Sequence, residues 1–173
     1  MSFSLYAAIV PNYCQIITSM GGLIDKAEAF CAEKRLAPSE LIQARLAPDM
    51  WPLADQLKNT VAHSIGAIEG VRKGVFSPDR SPTPDTFAAL RAKIADALAA
   101  LEKIDPTEVN GFVGRDMRFE FGDRRMDFTA ENFLLSFSQP NFYFHATTAY
   151  DILRARGLPL GKRDYTGKVR VKA

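Results

Sequence analysis

Apolar side chains return every three or four residues through most of this chain, a period that only an α-helix turns into a continuous face. Leu5, Ile9, Tyr13, Ile16, Met20, Leu23, Ala27 and Phe30 are spaced 4, 4, 3, 4, 3, 4 and 3 apart. The spacing predicts a first helix with one side buried, and explains why no charged residue precedes Asp25. A short helix is expected to open at Pro38-Ser39-Glu40. Pro52 suits the first turn of a second long helix, because its missing N–H would have no intrahelical partner there. Leu53, Leu57, Val61, Ile65, Ile68 and Val71 form its stripe, and Gly74 with the Ser77–Pro82 segment ends it. A third stripe, Phe87, Leu90, Ile94, Leu98 and Leu101, follows Thr83-Pro84-Asp85, with Thr83 as the expected N-cap.

From Phe112 to Phe128 the period drops to two. Pairing outward from a Gly122-Asp123 turn sets Phe121 opposite Arg124, Glu120 opposite Arg125, Phe119 opposite Met126, Arg118 opposite Asp127 and Met117 opposite Phe128. Opposite charges then meet on one face, which supports this register. A last, strongly apolar helix runs from Thr129 to Gly157. Pro140 should kink or restart it, with Ser138 available as a new N-cap. Residues 161–173 read as a polar, basic, loosely attached C-terminal tail. The expected fold is all-α: an antiparallel four-helix bundle forming one domain over 1–160, with a small β-hairpin between helices three and four.

Composition narrows the function classes. With 173 residues, 47% of them apolar, the chain can bury roughly two-thirds of its unfolded surface and needs neither disulfides nor a metal to fold. The 22 basic and 20 acidic side chains are interspersed, which argues against a nucleic-acid partner. Pro11, Asn12, Gln15, Thr18 and Ser19 interrupt the uncharged start, and 132–150 is too polar to span lipid, so no membrane segment is expected. Cys14 and Cys31, 17 positions apart on one helix, would lie roughly 25 Å apart and are expected as free thiols in a reducing cytoplasm. Homodimerisation through the bundle, with the first helix contributing, is a further expectation.

No glycine-rich phosphate loop, nucleophile elbow or His-Glu-x-x-His motif is present. The chemistry of a bundle comes from side chains projecting inward, which singles out the two histidines, His63 and His145. His63 shares its helix face with Gln56, Asn59, Thr60, Gly66, Ala67 and Gly70, and is either solvent-exposed or the wall of a cleft that these small residues open. His145 has Asn141 one turn before it, Thr148 one turn after and Ser138 two turns before, and reads as a buried, hydrogen-bonded histidine. Tyr143, Tyr150, Asp151 and Thr148 are pocket candidates. Glu69 and Asp55 are further groups that could supply a proton.

These residues carry a resemblance. One histidine on helix two, another twelve residues before Gly157, and the run Pro140-Asn141-Phe142-Tyr143-Phe144-His145 with Ala149-Tyr150-Asp151-Ile152-Leu153-Arg154 resemble the DinB-like (YfiT-like) metalloenzymes. More closely they resemble a bacterial branch classed as a domain of unknown function. The resemblance implies a divalent metal, zinc or nickel, held by one histidine on helix two and an i, i+4 pair on the last helix. His63 and His145 match two of those positions, and the third is Asn141. A neutral amide oxygen suits zinc poorly, so two histidines plus asparagine make a degenerate site in which metal is absent or weakly bound. The expected function is therefore binding of a small hydrophobic molecule beside His63 and His145, or interaction with a partner. The alternative is a metal-dependent hydrolase or thiol transferase with both histidines as ligands. Binding protein and enzyme both stay open at this level.

Overall fold

The computed structural model describes residues 4–172. The chain is mostly helical with one small sheet. Helix α1 spans Leu5–Lys34, running through Pro11, and Ser4 Oγ accepts from the Ala7 N–H at its start. Helix α2 is Pro38–Ile42. The second long stripe is divided into α3, Leu53–Ala62, and α4, Ile65–Lys73. Strand β1 is Val75–Phe76, α5 is Phe87–Leu101, α6 is Pro106–Asn110, and strands β2 and β3 are Asp116–Phe121 and Arg124–Thr129. The last helical stretch joins α7, Ala130–Asn132, a π-helical segment Phe133–Ser138, and α8, Gln139–Ala155. Helix α9, Lys162–Thr166, closes the chain.

Helix α1 packs on α5 and α8, and α3 on α8 and α5. Their apolar stripes merge into one core with Ile9, Tyr13, Ile17, Ile68, Phe133 and Phe142 wholly buried. By length and composition, α1 is the one helix among the described residues able to cross a membrane, and half of its most apolar window is buried inside the protein.

Six residue pairs join β2 to β3, including all five read from the sequence. Arg118 Nε donates to Asp127 Oδ1 at 2.6 Å on the polar face. Met117 is buried, whereas Phe121 and Met126 at the turn end are exposed.

Five sequence expectations are corrected. First, the second helix breaks at His63–Ser64. Ser64 leaves helical geometry (φ −108°, ψ −96°), and its Oγ donates to the Val61 carbonyl at 3.0 Å. The His63 carbonyl is thereby freed, and Ser138 Oγ donates to it at 3.0 Å. Second, Ser138 is therefore not an N-cap, and its backbone stays helical. The chain widens into a π turn just before Pro140, which has no N–H and whose ring would press on the carbonyl four residues back. Third, the third helix is capped by Thr86 Oγ1, which accepts from the Ala89 N–H at 3.2 Å. Thr83 instead donates to Asp55 Oδ1 at 2.5 Å. Fourth, a two-residue strand, β1, pairs in parallel with β2 and makes a three-stranded sheet. Fifth, the C-terminal segment is docked on α1. Lys26 bridges Asp164 at 2.6 Å, Gln15 Nε2 donates to the Thr166 carbonyl at 2.7 Å, and Arg170 donates to the Pro11 carbonyl and Gln15 Oε1, each at 2.8 Å. Gly167 lies so close to Ser19 that an added Cβ would sit 2.5 Å from its Oγ.

Candidate functional site

Helix α3 with the loop before it, the break after it, β1, β2, the π segment and α8 line a cavity of about 400 Å³. His63 and His145 both face it, 8% and 7% exposed, with ring centroids 5.7 Å apart and planes 19° from parallel. The solvent-exposed reading of His63 is thus corrected. The break that ends α3 turns the chain inward, and His63 packs against Phe76 and Phe137 at 5.3 and 5.9 Å. The small face of α4 does admit a close neighbour, but it is β1 rather than another helix. A Cβ on Gly70 would lie 3.0 Å from that of Phe76.

The hydrogen bonds define both imidazole tautomers. Gln56 is buried and its Nε2 donates to the Trp51 carbonyl at 3.1 Å, which leaves its Oε1 facing His145 Nδ1 at 2.7 Å. An amide oxygen only accepts, so His145 carries its proton on Nδ1 and an unprotonated Nε2. At His63, the Ser138 hydroxyl proton is directed to the His63 carbonyl, so Ser138 Oγ accepts from His63 Nδ1–H at 3.3 Å. His63 Nε2 is unprotonated as well. Neither Nε2 has a partner among the described residues, and neither is sealed from solvent. Burial, and secondarily the charge of His145, pushes the His63 pKa down to about 3, and burial lowers that of His145 to about 4. Both rings are neutral near pH 7.

Asn141 lines the same cavity, so the three positions singled out as metal ligands are brought together. Its Nδ2 donates to the Phe137 carbonyl at 2.7 Å, which leaves Oδ1 as an acceptor. Among the described residues, no group of three His, Cys, Asp or Glu side chains is placed to hold a metal. Two neutral imidazoles and one amide oxygen, with no thiolate or carboxylate, do not fit the donor set of a tightly held zinc.

The remaining pocket candidates do not line the cavity, and helical geometry gives the reason. At roughly 100° per residue, Tyr143, Tyr150 and Asp151 fall on the opposite side of α8 from His145. Tyr150 packs edge-on against Tyr165 of α9 at 5.9 Å. Thr148 is buried, with its hydroxyl directed to the Phe144 carbonyl of its own helix at 2.7 Å. Asp55 accepts from Thr83, and Glu69 pairs with Arg72, which also bridges Glu108 at 2.6 Å.

Sequence reasoning missed the walls. Trp51 stacks on His145 at 5.7 Å and 8°, half-exposed at the mouth, and Phe76, Phe119, Phe137 and Phe144 complete the lining. The aromatics come from separate elements, and no local pattern links them. Gln56 was visible as a face-mate of His63, but its bond to His145 spans 89 positions.

Residues 5–166 match the model of a family described as "Domain of unknown function (DUF1993)". The structure is similar to the crystal structure of a DinB family member protein from Shewanella denitrificans, at 28% identity and a TM-score of 0.81, covering 98% of this chain and 95% of that one. Comparison with curated proteins yields no match.

Proposed function

The chain belongs to the DUF1993 family of DinB-like proteins, and on that premise we propose that it is a small-molecule binding protein whose metal site is degenerate. In this reading the long helices form an antiparallel four-helix bundle, the protein works in the cytoplasm as a homodimer, and a divalent metal at His63, His145 and Asn141 is absent or weakly held. One observation carries the reading. An aromatic-walled cavity of about 400 Å³ ends on two neutral imidazoles whose Nε2 atoms are open, which is the mostly apolar concavity with a few converging polar groups typical of ligand sites.

The chain has a single tryptophan, Trp51, at the cavity mouth, so its fluorescence reports occupancy directly. Screening small aromatic compounds against metal-free protein should give saturable changes in emission that His145→Leu weakens. A screen in which no compound perturbs Trp51 would remove the binding reading. The alternative, a metal-dependent hydrolase or thiol transferase, draws on the same open Nε2 pair, since lone pairs can ligate. It requires stoichiometric zinc or nickel in protein purified without an affinity tag, and loss of that metal in His63→Ala and in His145→Ala.

A further inference from the structure

We propose that the cavity selects neutral, planar aromatic molecules carrying an O–H or N–H donor, as in phenols and indoles, by presenting them with two imidazole acceptors. The inference rests on the small-molecule reading above and specifies its ligand class. The tautomers follow from buried partners rather than from solvent conditions. Gln56 is held by the Trp51 carbonyl with its oxygen toward His145 Nδ1. Ser138 is committed to the His63 carbonyl, so it offers His63 Nδ1 only a lone pair. Each ring therefore keeps an unprotonated Nε2 that is neither hydrogen-bonded nor sealed from solvent. At this pair a ligand meets acceptors and no N–H.

A ligand lacking a donor would desolvate both nitrogens and return nothing, a penalty that makes hydrogen-bonding sites reject analogues without the matching group. Shape and polarity select the remainder of the ligand. Trp51 and His145 lie nearly parallel, His145 and His63 continue the stack, and Phe76, Phe119 and Phe137 supply further ring surface. Aromatic pairs of this kind favour flat ring systems, and a cavity of about 400 Å³ has room for two fused rings. A carboxylate or phosphate would face lone pairs. A quaternary cation would bring no donor to either nitrogen.

The test uses metal-free protein and two near-isosteric probes, 2-naphthol and 2-fluoronaphthalene, titrated by calorimetry. The expected result is 2-naphthol binding tighter by about tenfold or more, the difference one well-made hydrogen bond can contribute. Gln56→Met, which removes the acceptor facing His145 Nδ1, should shrink that ratio. Wild-type protein supplies a second readout that needs no variant. The ¹⁵N shifts of both histidines should report unprotonated Nε2, and those signals should move with 2-naphthol and not with 2-fluoronaphthalene. Equal affinities would overturn donor selection and leave the small-molecule reading intact. Binding of neither probe would overturn the proposal, while the small-molecule reading stands or falls on the Trp51 screen. Binding of 2-naphthol only after zinc is added would overturn the proposal, because the lone pairs would then belong to a metal.

Discussion

His145 keeps its proton on Nδ1 because Gln56 has only an oxygen to present, and the most informative substitutions at this scale are those that disturb such commitments. Gln56→Leu leaves the buried His145 Nδ1–H and the part-buried Trp51 carbonyl without their partner. It should cost about 1–3 kcal/mol, read as a lower urea midpoint with an unchanged slope. Tyr13 gives the opposite case. Its ring is fully buried in the core and its hydroxyl has no partner among the described residues. Ser138 lies near enough to influence it, but the Ser138 oxygen already accepts from His63 Nδ1–H at 3.3 Å. Burial accordingly raises the Tyr13 hydroxyl well above the ordinary phenol range. Tyr13→Phe removes an unsatisfied polar atom and should stabilise the fold by about 1 kcal/mol, seen as a higher thermal midpoint.

The histidines also predict an acid dependence with a definite sign. Each ordinarily titrates near 6.5, but the folded protein holds His63 near 3 and His145 near 4. Well above pH 6.5 both are neutral in either state and contribute no slope. As the pH falls below that value the unfolded chain binds protons that the folded chain refuses, so stability declines down toward the folded values. Urea unfolding followed between pH 7 and 4.5 should show this loss, and His63→Asn with His145→Asn should flatten it. An unchanged slope in the double variant would assign the acid sensitivity elsewhere.

Among the elements, the contact of α4 with β1 depends on one missing methyl group. A helical glycine is ordinarily improved by alanine, by about 0.5–1 kcal/mol. At Gly70 the added Cβ would lie 3.0 Å from Phe76 Cβ and 3.1 Å from its ring. Gly70→Ala should therefore destabilise by about 1–3 kcal/mol through overpacking, and displacing Phe76 should also alter Trp51 emission through the shared cavity. A stabilised Gly70→Ala protein would show that β1 yields easily.

Element-scale legibility in the sequence followed the range of the interaction. The hairpin register was readable because alternation and cross-strand charge pairing are both encoded within twelve residues, Met117 to Phe128. The α3–α4 break was not, since the carbonyl it frees is satisfied by Ser138, 75 positions away. The π segment looked like a helix restart because Pro140 signals trouble without saying whether the backbone will break or widen. A two-residue β1 is too short to carry a period.

For the whole molecule, residues 161–172 behave as part of the fold. Helix α9 is pinned to α1 by Lys26–Asp164, and its Tyr165 packs on Tyr150 of α8. Ending the chain at Gly161 should expose that seam and lower stability by about 1–3 kcal/mol, given the apolar area of Tyr165 and its neighbours. Differential scanning calorimetry of the shortened protein would detect the shift, and an unchanged midpoint would mean that the segment adds nothing to stability.

The sequence by itself determined the helical class, the positions of the long apolar stripes, the hairpin register, and the three residues, His63, Asn141 and His145, that share the cavity. The first three are written in short-range periodicity, because a helix repeats every 3.6 residues and a strand every two, whereas His63 and His145 stood out as the two histidines and Asn141 through the family resemblance. Tertiary structure alone decided what those residues can do. The direction in which each imidazole presents its lone pair depends on Gln56 and Ser138 crossing between helices, and the aromatic walls converge from α3's approach, β1, β2, the π segment and α8. Tyr143, Tyr150 and Asp151 fall outside by helical period once His145 faces the cavity, and Thr148 because its hydroxyl turns back to its own helix. Tautomer, desolvation and enclosure are properties of neighbours distant in the chain, so no local pattern could have carried them.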